Sequence, residues 1–482
     1  MTVSILHISD LHRDPHNPIG NLSLLDSLER DRRRYLEEEP VRVRSPDIVV
    51  VSGDIVQGVL HDVDDAELKL EQQYVEAFDF LTKLAAAFVN GDRERVVIIP
   101  GNHDVSDYQF RKSLNSIPIA ADRKKSLVSQ LFSPNSRMRW SWDDLELHEI
   151  VDEAVYAERL GAFSRFYSRF YDDKRRYGTD PTKHYDVFDY PDLGLAIVGF
   201  SSCYDNDLFH RAGSIHPDCV GGVSSILRAT QFDGRVRVGV WHHNTEGSPE
   251  ATDYMSADIV QNLIDRDFSL GLHGHQHRPD QLDTRFRHGT NRRLTTISAG
   301  TLCGGAAFGF RRSYNLIEID VETTAGRLHV REMQNDNLQL PIWGARALPS
   351  VGSTTLNFTF DGPPALKAPA NTVAQSLTDA AALIELGNYS GAAAKLLPLL
   401  PSEPLAKRLL QECYSELRDH KAIIGLLDPP QNEIEALALM DSLWEEGEHA
   451  RLREILTLPM VALSSDPSLV EERTKFSRRL AR

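Results

Sequence analysis

"RVVIIPGNHD", residues 95–104, joins two kinds of chemistry in ten residues. Val96 to Ile99 is a continuous β-branched run without polar alternation, which reads as a short strand buried on both faces. Pro100 ends it, and Gly101-Asn102-His103-Asp104 follows, a turn crowded with groups that bind metals or move protons. The same order of apolar run and polar turn recurs outward along the chain. "SILHIS" (4–9) leads into Asp10-Leu11-His12, "DIVVVS" (47–52) into Gly53-Asp54, "RVRVGVW" (235–241) into His242-His243, and "FSLGLH" (268–273) into Gly274-His275-Gln276-His277. "LGLAIVGFSS" (193–202) and "LTTISAGTL" (294–302) read as further strands, and 65–88 reads as a helix between two of them. Strands alternating with helices predict α/β layering, in which chemistry gathers at the loops beyond the strand ends.

The whole chain sets bounds on this reading. Its 482 residues suggest two or three domains. With 53 Lys and Arg against 70 Asp and Glu, the net charge of −17 gives no overall attraction to nucleic acid or anionic membranes, leaving at most a local basic groove. The four cysteines, Cys203, Cys219, Cys303 and Cys413, lack CxxC spacing, which argues against a zinc knuckle or a disulfide framework and fits a reducing cytosol. The start "MTVSILHISDLHRD" has no basic region followed by a long apolar one, and no run approaches ~18 apolar residues. A cytoplasmic protein without a membrane segment is expected.

Residues 105–184 interrupt the strand rhythm and read as a mostly helical insertion. Its densest part is "RFYSRFYDDKRRYG" (165–178). Aromatics interleaved with arginines suit a single-stranded nucleic-acid surface, but on a helical wheel Phe163, Phe166, Tyr167, Phe170 and Tyr171 share one face, the pattern of an amphipathic helix packed on the core. A cap over the site is the other reading of this segment. Residues 346–372 turn to Pro, Gly, Ser and Thr and read as a linker carrying a short strand. In 373–482, "ELGNYSGAAAKL" (from Glu385), "ELRDHKAIIGLL" (from Glu416) and "EEGEHARLREIL" (from Glu445) can be overlaid, a spacing suited to stacked helix hairpins. Gly387, Tyr389, Ala392 and Pro404 resemble the second half of a tetratricopeptide repeat, with Arg418 replacing the glycine in the middle copy. Such repeats offer a concave surface to a protein partner.

The histidines carry the chemistry. His273, His275 and His277 alternate, so an extended backbone places all three on one face. Carboxylates suit hard divalent ions and imidazoles suit Mn, Fe, Zn or Ni, so the mixed set selects no single metal.

The ordered set D-x-H, G-D, G-N-H-D, H and G-H-x-H resembles the calcineurin-like metallophosphoesterase superfamily over about residues 1–340. That resemblance implies a layered β-sandwich flanked by helices in residues 1–345, ahead of the all-α repeat region. It also implies two divalent ions, with Mn favoured. Asp10, His12 and His277 would hold one ion, Asn102, His242 and His275 the other, and Asp54 would bridge them. His103 would serve the leaving-group oxygen, with Asp104 orienting its ring, while a metal-bridging hydroxide attacks phosphorus in line. One departure is Asn244 in "WHHNTEG", where relatives often carry proline, which leaves His243 open as the ligand in place of His242. His273 and His7 read as structural. The expected activity is hydrolysis of a nucleotide or nucleic-acid phosphodiester. The alternatives are a nuclease, a phosphomonoesterase or phosphoprotein phosphatase, and a regulatory module with an inert hydrolase domain.

Overall fold

A computed structural model of the chain describes residues 1–133, 136–247, 253–285, 292–335, 337–348, 352–363, 372–385, 387–400 and 403–480. Two compact units are present, Met1–Leu366 and Lys367–Arg482.

In the first unit the chain lays down β1 (Thr2–Ile8), β2 (Ile48–Ser52) and β3 (Val96–Ile99), then β4 (Leu114–Ile117), β5 (Met138–Ser141) and β6 (Glu146–Ile150) within the insertion. After these come β7 (Tyr185–Tyr190), β8 (Leu195–Phe200), β9 (Val236–Val240), β10 (Phe268–His273), β11 (Asp280–Arg285) and β12 (Arg293–Ser298). Last are β13 (Ser313–Asp320), β14 (Ala325–Met333), β15 (Trp343–Ala345) and β16 (Leu356–Thr359). One sheet runs β15-β14-β13-β1-β2-β3, with β16 also paired to β14, and a second runs β11-β12-β10-β9-β8-β7. The strands that carry the motifs are parallel within each sheet: β1 to β2 to β3, and β8 to β9 to β10.

The two sheets face each other. A Cβ on Gly199 of β8 would lie 2.6 Å from Ile99 Cγ2 of β3, so only glycine permits this approach. Side chains of both sheets share one core, which also takes in Leu24 and Leu28 of helix Asn21–Arg33 and Leu70, Tyr74 and Phe80 of helix Ala66–Phe88. The other face of the second sheet packs Val198, Phe200 and Trp241 against Val223 and Leu263 of helices Pro217–Ile226 and Ala257–Ile264. The resulting order is helix, sheet, sheet, helix. All motif turns sit along one edge of this sandwich because they follow parallel strands.

The insertion differs from the expectation of a mostly helical segment: β4, β6 and β5 form a three-stranded antiparallel sheet. Strands of four or five residues are too short to show their period, and Leu114 finds its partner only at Ile150. Helix Gly161–Phe170 is amphipathic as its wheel predicts. Phe163, Phe166, Tyr167 and Phe170 are buried in the core, Arg165 pairs with Glu71, and Arg175 pairs with Glu94 and Asp186. Leu356–Thr359, inside the expected linker, adds an edge strand to the first sheet.

In the second unit, helices Tyr389–Leu396, His420–Leu427 and His449–Leu456 begin the same way after longer partners. Gly387, Arg418 and Gly447 turn left-handed (φ 72°, 53° and 74°) just before each. Asn388 and Asp419 then cap the first two by accepting from Gly391 N and Ala422 N. Among the described residues, no helix is long and apolar enough to cross a membrane.

Candidate metal centre

The ends of β1, β2, β3, β9 and β10 bring the motif residues together. Asp10 (φ 54°), His12 (45°), Asp54 (51°), His275 (72°) and His277 (53°) all adopt left-handed backbone, a strain that non-glycine residues rarely carry and that clusters at functional sites. Gly53 (φ 96°) precedes Asp54, and a Cβ there would lie 2.5 Å from His242 Nδ1.

The tautomers decide what this cluster can hold. His242 Nδ1 lies 2.8 Å from the carbonyl of Ser52 and therefore carries the proton, which aims the Nε2 lone pair at Asn102 Oδ1 (3.1 Å) and Asp54 Oδ1 (3.3 Å). His275 Nδ1 lies 3.0 Å from the same Asn102 oxygen. His277 likewise places Nδ1 on the carbonyl of Gly305, turning Nε2 towards Asp10 Oδ1 at 3.0 Å and His12 Nε2 at 3.4 Å. His12 Nε2 is 3.8 Å from Asp54 Oδ2. Acceptors this close repel unless a cation or proton lies among them. Ligands about 2.1 Å from one ion are separated by roughly 3.0–3.4 Å, the spacing of every ligand pair above except His12–Asp54 at 3.8 Å. Asp10, His12, Asp54 and His277 gather their ligand atoms within 4.8 Å of one another. Asp54 turns one oxygen to each group, so the donor set fits two ions with a shared carboxylate.

The electrostatics agree. Burial opposes charge on Asp54, yet His242, His103 and His12 hold its carboxyl well below the usual range. Asp10, also buried, is brought down to about 2 through His277 and His242. Burial alone would discharge His242, but Asp54, with Asp10, pushes it up to about 9.

His103 lies beside the cluster, its ring edge-on to His12 with centroids 4.7 Å apart. Its backbone N–H donates to Asp54 Oδ1 (2.9 Å), and its Nδ1 meets the carbonyl of Gln57 at 2.6 Å. Asp104, expected to orient that ring, is hydrogen-bonded elsewhere. That carboxylate is buried and accepts from Ile55 N (3.1 Å), Gly101 N (2.8 Å) and Tyr74 OH (2.9 Å), so it braces the turn while a backbone carbonyl orients His103. Burial and the Asp54 charge push Asp104 up to about 7.

Residues 3–279 match the family model for calcineurin-like phosphoesterases. The chain belongs to the calcineurin-like phosphoesterase family. No curated protein matches it. Similar solved structures include purple acid phosphatase PPD1 from yellow lupin (Lupinus luteus) seeds, at 10% identity over 69% of this chain and 52% of that one, TM-score 0.36. A dimetal phosphatase from Danio rerio matches at 11% identity, 74% and 99% coverage and TM-score 0.36. The calcineurin-like phosphoesterase YfkN from Bacillus subtilis matches at 11%, 75% and 90%, with TM-score 0.27. The chain spans about half the length of the lupin protein.

Within this phosphoesterase, His243 is turned away from the ion sites. Its Nδ1 meets Ser202 Oγ (2.8 Å) and its Nε2 meets Asn206 Nδ2 (3.2 Å), so both ring nitrogens are engaged away from Asp54 and Asn102. His273 is buried, stacked on Trp241 (13° between planes), and burial brings it down to about 4; His7 bonds Ser52 Oγ. Sequence reading missed Asp253, whose carboxylate stands 3.3 Å from His275 Nε2, and Ser202 and Asn206, which hold His243. None lies in a motif, and only the packing of the 201–216 and 253–256 loops brings them in.

Proposed function

We propose that this protein is a dinuclear metal-dependent phosphodiesterase acting on a nucleotide or nucleic-acid phosphodiester. The observation that carries the reading is the pair of converging lone-pair clusters sharing Asp54, with His103 beside them. Asp10, His12, His277 and Asp54 would hold one ion, and Asn102, His242, His275 and Asp54 the other. When bound, the ions supply Lewis acidity towards phosphate oxygens and lower the pKa of a water. Mn suits this nitrogen and oxygen set, as do Fe, Zn and Ni.

The chain's own residues supply the rest. The Gln57 carbonyl keeps one proton on His103 Nδ1, so the imidazolium form donates its second proton from Nε2 to the leaving oxygen and ends as the neutral Nδ1–H imidazole. A diester with a poor alkoxide leaving group profits from that donor. Ser52 and Gly305 carbonyls fix the ligating nitrogens of His242 and His277 in the same way. Asp104 and Tyr74 hold the Gly101–Asp104 turn in place.

The aromatics of 163–171 are buried in the core, which counts against base stacking on that helix, while a nuclease remains the alternative that the arginines of 165–176 and the insertion favour. We assign residues 1–345 to the hydrolase, 105–184 to an insertion in it, 346–372 to a connection and 373–482 to a tetratricopeptide-like region that binds a protein partner, with the cytoplasm as the place of action.

The test is metal content together with turnover of bis-p-nitrophenyl phosphate and p-nitrophenyl phosphate in Mn²⁺, for the parent, His103→Ala and Asp54→Ala. Two ions, diester preference and loss of turnover in both variants are expected. Absence of metal and turnover, or preference for the monoester, would overturn the reading.

A further inference from the structure

A cavity of about 560 Å³ opens beside the metal centre. Of the cluster residues only Asn102, His103 and His275 line it, so it extends from the flank that carries His103. The space is within the range of pockets that enclose small organic ligands and much larger than one phosphate needs. A phosphorus held at the metals would therefore direct its leaving group past His103 into this cavity. Val59, Leu60, Val105 and Leu208 give it apolar surface.

Its charged groups are unevenly committed. Asp207 is bound by Arg139 Nε (2.7 Å) and Tyr156 OH (2.9 Å), and Asp107 by His61 through both backbone N (2.8 Å) and Nδ1 (2.7 Å). Asp253 faces His275. Arg211 is the one Lys or Arg among the described lining residues; its guanidinium makes no close ion pair among them, although its charge, after the contact with His275, helps hold the Asp253 carboxyl below the usual range. Its position is nonetheless held. Asn206 Nδ2 donates to the Arg211 carbonyl (2.9 Å) and meets His243, which packs on the His242 and His275 rings. Buried Arg159 donates to the carbonyls of Asn206 and Tyr204, at 3.1 Å each. A loop fixed to both the insertion and the metal centre thus places one cation, outside any close ion pair among the described residues, on the lining of the leaving-group space.

We propose that Arg211 makes this site selective for phosphodiesters whose leaving group bears a second phosphate, which the guanidinium receives by charge-assisted hydrogen bonds. The proposal rests on the phosphodiesterase reading above and adds the substrate class, a nucleotide with two separate phosphate groups.

The experiment compares adenosine 3′,5′-bisphosphate with adenosine 5′-monophosphate as inhibitors of bis-p-nitrophenyl phosphate turnover by the metal-loaded full chain. The parent should favour the bisphosphate by about tenfold. Arg211→Ala should bring that ratio near one, and Arg211→Lys should keep part of it. A parent without preference, or an unchanged ratio in Arg211→Ala, overturns the proposal. If the parent turns over no diester, the phosphodiesterase reading fails instead, and calorimetric titration of both nucleotides onto the metal-loaded parent and Arg211→Ala still decides the role of Arg211 by the same ratio.

Discussion

Metal loading of the metal-free protein at pH 7 should release about one proton from His242. Asp54 and Asp10 outweigh burial and hold this imidazole at about 9, against 6.5 for a free histidine. Two units above pH 7 means about 99% protonation. The Ser52 carbonyl keeps the proton on Nδ1, so the titrating nitrogen is Nε2, which must be bare to ligate. Apparent metal affinity should therefore rise by about tenfold per pH unit from 7 to about 9, then flatten. The sign for stability follows. A folded pKa raised above the unfolded one stabilises the metal-free fold fully below pH 6.5, and that contribution, on the order of 3 kcal/mol, is lost as pH rises through about 9. Calorimetric titration with Mn²⁺ in buffers of differing ionisation enthalpy counts the protons, with His242→Asn as reference. Absence of release at pH 7, or equal release in His242→Asn, would refute the reasoning.

Gly53→Ala should cost roughly 1–3 kcal/mol in denaturant unfolding and lower bound metal, since its φ of 96° and the His242 ring 2.5 Å from a Cβ both oppose a side chain. Asp104→Asn should lower stability by about 1–3 kcal/mol while leaving the shape of the pH–rate profile intact, because Gln57 and not Asp104 faces the His103 ring; a displaced profile would restore the orienting role to Asp104. Arg139→Met should destabilise by about 3–5 kcal/mol, measured by urea unfolding, because it strands Asp207 and Asp205 (2.7 and 2.5 Å from the guanidinium). Arg418→Gly should raise the melting temperature, adding roughly 1 kcal/mol, because Arg418 holds φ 53° where the equivalent turns use glycine.

The buried strands, the order of their polar ends and the types of donor side chain were legible in the residues alone. Each of these is a local property: a continuous Val and Ile run is buried on both faces wherever it folds, and a turn after a parallel strand opens at the sheet edge. The amphipathic helix at 161–170 was legible for the same reason. The rest came from contacts between segments distant in the chain. The pairing of Leu114 with Ile150 and the addition of Leu356–Thr359 to β14 are long-range, and short strands carry little period of their own. Which of His242 and His243 turns towards Asp54 rests on which ring meets the Ser52 carbonyl and which meets Ser202. The duty of Asp104 rested on Tyr74, a helix residue far from the motif. Spacing names the donors along a chain, but a lone pair's direction is set by the partner on the ring's other nitrogen, and that partner comes from another strand.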